Sequence, residues 1–136
     1  MTNIEDYKQN LRNLIEQCYD KTIIGKILDI LSTSIDKTFS DNINVIESGI
    51  EELEMFRKMW GREYNNATYF IATGYEKIFR KLPDESSMKL NVANKAITEF
   101  ESYLQKESFL NNNELRQKCQ IEESINKLEE YITKHS

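Results

Sequence analysis

The chain has 136 residues, 39% of them apolar and 30% charged, and a net charge of −5. A chain of this length buries roughly two thirds of its unfolded surface in one core, so a single domain over residues 1–136 is expected. The acidic balance disfavours general nucleic-acid binding and anionic lipid, which both need surplus cations, and four Gly with one Pro are too few for a turn-rich sheet.

Thr2 followed by Glu5 has the form of a capping box, and Ile4, Tyr7, Leu11, Leu14, Ile15 and Cys18 recur at helical spacing, which predicts a first helix from about 3 to 19. Thr22 is a suitable cap for a second helix to about 38, carrying Ile23, Ile24, Ile27, Leu28, Leu31 and Ile35, with Gly25 as a weak point. After the break at Ser40-Asp41-Asn42, Ile43, Ile46, Ile50, Leu53, Phe56 and Trp60 trace a third helix that stops near Gly61. Tyr69-Phe70-Ile71-Ala72 suits either a short strand or a helix, and helix is favoured because Tyr75, Ile78, Phe79 and Leu82 continue the spacing. Pro83 ends that element; Asp84, Ser86 or Ser87 caps a fifth helix on Leu90, Ala93, Ile97, Phe100 and Leu104. Asn111-Asn112-Asn113 reads as a loop before a last helix to about 133, on Leu115, Ile121, Ile125, Leu128 and Ile132. The expected fold is all-α, a single-domain bundle of five or six helices.

No apolar run exceeds the four residues 69–72, and the opening residues lack a positive and an apolar region, so a cytoplasmic protein without membrane contact is expected. Cys18 and Cys119 fall in no CxxC pattern and are expected to be buried free thiols. The only histidine, His135, stands at the chain end, where fraying is usual, so a Ser-His-Asp triad or a Glu-x-x-His metal pair has no candidate. Glycine-rich phosphate loops are also missing. No catalytic, cofactor-binding or metal-binding residue is therefore assigned.

Two charge patterns remain. Glu47, Glu51 and Glu54 stand at i, i+4 and i+7, which stacks their carboxylates on one helix face away from Ile46, Ile50 and Leu53; Glu52 adds to the run, and Glu122, Glu123, Glu129 and Glu130 follow in the last helix. An ordinary solvated face explains such a run, and so does a surface built for a cationic partner. Between Met55 and Lys81 the sign reverses: Arg57, Lys58, Arg62, Lys77, Arg80 and Lys81 face only Glu63 and Glu76, among Phe56, Trp60, Tyr64, Tyr69, Phe70, Tyr75 and Phe79. One reading makes Phe56, Trp60, Phe70 and Phe79 simply core, with the tyrosines half-buried at its edge; if the segment is used, Trp60, Arg62 and Tyr64 are the members expected at an exposed contact surface.

The expectation is a non-catalytic protein-binding module, of the kind found in immunity or antitoxin-type inhibitors, that neutralises a basic partner such as a toxin nuclease through Glu47, Glu51, Glu54, Trp60, Arg62 and Tyr64. Alternatives are a regulator that docks nucleic acid on residues 55–81 and a structural helical subunit that joins copies of itself along the Ile121, Ile125, Leu128, Ile132 seam.

Overall fold

The computed structural model describes residues 4–17, 21–60 and 65–135. Six helices follow one another: α1 (Ile4–Glu16), α2 (Lys21–Lys37), α3 (Ile43–Trp60), α4 (Asn65–Lys81), α5 (Ser87–Lys106) and α6 (Asn112–His135). The fold is thus an all-α bundle, and the ambiguous stretch around Tyr69 lies inside α4. Thr2, Cys18, Gly61, Arg62 and Tyr64, to which the sequence reading gave roles, lie outside the described residues.

Side chains at the helix starts explain several boundaries. Asn42 Oδ1 accepts from the backbone of Asn44 and Val45 at the start of α3, and Ser86 Oγ accepts from Met88 N at the start of α5. Asn111 and Glu114 make a reciprocal box before α6: Asn111 Oδ1 accepts from Glu114 N (2.9 Å), and the Glu114 carboxylate accepts from Leu110 N (2.8 Å). Thr22 is not the cap foreseen for α2, because the helix already begins at Lys21. At the other end, α6 continues to His135, whose imidazole stacks on Tyr131 (centroids 4.0 Å apart), one turn back on the same face. Cys119 also departs from expectation, since it lies on the exposed side of α6.

Packing follows chain order: α1 lies against α2 and α3, α2 against α3, α3 against α4, α4 against α5, and α5 against α6. α4 is the partition between two cores. Ala67, Ile71 and Ile78 join Leu11, Ile27, Ile46, Leu53 and Phe56 in one, while Ala72 joins Ala93, Ala96, Phe100 and Leu128 in the other. The fully buried alanines Ala72, Ala93 and Ala96 let α4 and α5 approach closely. Phe56 and Phe100, 2% and 1% exposed, each contribute about 2–3 kcal/mol by leaving water. Ile121, Ile125 and Leu128 are spent in the second core, so most of the proposed self-association seam is already covered.

One polar cluster interrupts the first core. Glu52, 4% exposed, accepts from Ser34 Oγ (3.0 Å) and from the Lys37 ammonium, and the Tyr7 hydroxyl lies 3.2 Å from Ser34 Oγ. Burial pushes the Tyr7 phenol up to about 12, and the Glu52 charge adds to that shift. Ser34 is fully buried, with Glu52, the Ile30 carbonyl (3.1 Å) and Tyr7 around its hydroxyl, so the cluster ties α1, α2 and α3 together.

Candidate docking groove

α3 and α5 both pack on α4, and the space between them forms a groove of about 290 Å³. Its α3 wall is made by Glu47, Ile50, Glu51 and Glu54. Tyr75 and Ile78 of α4 form the floor, and Met88, Asn91, Val92 and Lys95 of α5 form the opposite wall. A second concavity continues it past Asn94 and Thr98 to Glu99, sharing Glu54, Tyr75 and Lys95. Arg57 of α3 closes that end with an ion pair to Glu99 of α5 (2.7 Å).

The i, i+4, i+7 spacing delivers what it implied for the carboxylates: Glu47, Glu51 and Glu54 are all exposed, whereas Ile46, Ile50 and Leu53 are buried. All three carboxylates stand on one wall. Glu54 accepts from the Tyr75 hydroxyl (2.9 Å), which fixes the ring across the floor. Burial, together with that donated bond, holds the Tyr75 phenol above the usual tyrosine range. Lys95 lies over the same ring, 5.7 Å from its centroid, so the two walls carry opposite charge.

Trp60 does not join them. Its ring stacks on Phe56 (5.8 Å, 21°) and packs against the first core, lining a small apolar dimple with Ile24, Ile27, Leu28 and Leu31 of α2. Of the two readings of the indole, core or exposed contact, the structure fits the first more closely: it is half-buried, because α2 covers the side of α3 that carries Phe56. Four cations of the basic segment also have partners. Arg57 donates to Glu99 and Thr68, Lys77 donates to the Phe39 carbonyl, Lys77 and Lys81 lie 3.6 and 3.8 Å from Asp41, and Arg80 pairs with Glu76. Those cations do not form a bare stripe for a phosphate backbone.

Sequence reasoning missed Tyr75, Met88, Asn91 and Lys95. Their periodicities place each on its own helix, but nothing in a single helix's spacing says that α5 will stand opposite α3. Among the described residues, no group of three or more His, Cys, Asp and Glu is arranged to hold a metal ion, and no helix is long and apolar enough to cross a membrane.

The fold and groove therefore define the class: an all-α helical bundle with a surface groove whose α3 wall is acidic. No protein family, curated protein or solved structure matches the chain.

Proposed function

We propose that the protein is a non-catalytic binding module, an immunity or antitoxin-type inhibitor of the cytoplasm, that captures a basic partner protein such as a toxin nuclease. The observation that carries this reading is the placement of Glu47, Glu51 and Glu54 along one wall of a groove floored by Tyr75 and Ile78. Aligned carboxylates at i, i+4 and i+3 repel each other by about 0.2–0.5 kcal/mol per pair, and a cationic partner converts that repulsion into attraction. Charge steers the partner inward, and burial of apolar groups then holds it while its active surface is covered. The nucleic-acid alternative is weakened by the partners that Arg57, Lys77, Arg80 and Lys81 already have.

The reading is tested by affinity capture from the native host at about 50 mM and about 500 mM salt, using the wild type and the triple variant Glu47→Gln, Glu51→Gln, Glu54→Gln. A stoichiometric basic protein recovered by the wild type at low salt and lost by the variant is the expected result. Recovery that is indifferent to the three substitutions, or of nucleic acid alone, overturns it.

A further inference from the structure

Glu47 and Met88 line one end of the groove, and Arg57 meets Glu99 at the other, so α3 and α5 run parallel to each other. Both pack on α4. This is three quarters of a four-helix arrangement, with α4 as floor and a side wall on each flank. From Glu47 to Arg57 the groove follows about ten residues of α3, or roughly 15 Å, which matches about three turns of another helix.

Three modes of segment recognition can be weighed against this surface. Strand addition needs a sheet edge with unpaired backbone groups, and the described residues contain no strand. A polyproline segment needs a groove lined with aromatic rings, whereas this one has the single ring of Tyr75, with its hydroxyl already given to Glu54. An amphipathic helix needs apolar surface between polar walls, which the half-buried Tyr75 ring and the exposed Met88 provide over the buried Ile50, Ile78 and Val92, between Glu47, Glu51 and Glu54 on one side and Asn91 and Lys95 on the other.

We infer that the groove takes one amphipathic basic helix of the partner, which lies over α4 and completes a four-helix bundle with α3, α4 and α5. This deepens the reading of the protein as a captor of basic partners and rests on it. Charge complementarity selects the occupant and its orientation. The acidic wall repeats at i, i+4 and i+7, so lysines or arginines spaced by whole turns on one flank of the incoming helix face it in register. The other flank, which meets Asn91, Asn94 and Lys95, is neutral or acidic. Met88, 58% exposed at the mouth of the groove, is the apolar contact that adapts to the incoming stripe.

The test uses the full chain and three labelled synthetic peptides of about 18 residues, long enough to span the groove with a turn to spare at each end. The first has a leucine stripe at helical spacing with lysines along one flank and neutral residues along the other; the second has the same composition in an order that forms no face; the third keeps the stripe and replaces lysine by glutamate. Affinity is read by fluorescence anisotropy at low salt. The first peptide is expected to bind about tenfold more tightly than the second, and the third not to bind. The triple glutamine variant should weaken the first peptide about tenfold, and Met88→Gln, at an exposed position that spares the fold, about fivefold. Equal binding of the first two peptides, both weakened by the triple variant, overturns helix docking and leaves capture of basic partners standing. Order-dependent binding that ignores Met88→Gln overturns the groove as its seat. If the lysine peptides bind no better than the glutamate peptide, both readings fall.

Discussion

The carboxylate of Glu52 is buried against Ser34 and the Lys37 ammonium, while its neighbour Glu51 faces solvent on the groove wall. Removing Glu52 leaves the half-buried Lys37 ammonium without its carboxylate and the Ser34 hydroxyl with only the Ile30 carbonyl and Tyr7 to turn to, so Glu52→Ala should lower unfolding free energy by about 2–3 kcal/mol. Glu51→Gln only relieves repulsion from Glu47 and Glu54 and should raise stability by about 0.2–0.5 kcal/mol. Urea titrations of the two variants check this contrast, and equal effects would mean that Glu52 is not buried as described. Tyr7 adds a dependence on pH. Its phenol is raised from 10.0 to about 12, so the folded state holds its proton more tightly than the unfolded chain. The associated stability is complete below pH 10 and is lost as pH rises towards 12. Tyr7→Phe has no proton to lose, so its urea midpoint should fall less between pH 9 and pH 11 than that of the wild type. Parallel decline in both proteins would assign the effect to other groups.

Within the helices, two glycines with the same propensity cost have opposite roles. A Cβ at Gly49 would stand 2.7 Å from Lys37 Cβ and 2.9 Å from the Ser34 carbonyl oxygen, so this glycine sets the approach of α2 to α3. A Cβ at Gly25 meets nothing within 4 Å. Gly25→Ala should therefore stabilise by about 0.5–1 kcal/mol, whereas Gly49→Ala should destabilise by about 1–3 kcal/mol despite alanine's better helix propensity. Thermal denaturation of both gives the signs directly. The attachment of α6 is equally local. Lys89, 7% exposed, donates to the Leu82 carbonyl (3.0 Å) and to Asp84 (2.8 Å), and its ammonium lies over the rings of Phe79 and Tyr131 (4.6 and 5.3 Å). The Tyr131 hydroxyl donates to the Asp84 carbonyl, so one cation gathers the ends of α4, α5 and α6. Because α6 packs chiefly on α5, Lys89→Met should speed amide hydrogen exchange in α6 and leave α1 to α3 unchanged. Uniform acceleration would show that α6 opens only with the whole fold.

At the scale of the molecule, charge is sorted by sign and by use. Arg57, Lys77, Arg80 and Lys81 each stand beside a carboxylate of the bundle, whereas the carboxylates of the α3 wall face outward around the groove. Raising ionic strength from about 0.05 to about 0.5 M should slow association with the basic partner by at least about tenfold and change dissociation little, since screening acts on the encounter. Stopped-flow rates at the two salt concentrations test it, and a slowed encounter matched by an equally changed dissociation would contradict steering.

The helical class, five of the six starts within two residues, and the outward stack of Glu47, Glu51 and Glu54 were all legible in the sequence, because spacing along one helix and the residues at its ends are local properties. Four facts depended on which element meets which: Trp60 turned against α2, Cys119 left in solvent, Glu52 drawn into the core by Ser34 and Lys37, and Arg57, Lys77 and Lys81 set beside Glu99 and Asp41. The groove belongs with them. Its acidic wall is written in α3 alone, but its floor and far wall exist only because α4 seats α3 and α5 on either side of itself, a pairing that side-chain volume and close approach decide and that one-dimensional spacing does not contain.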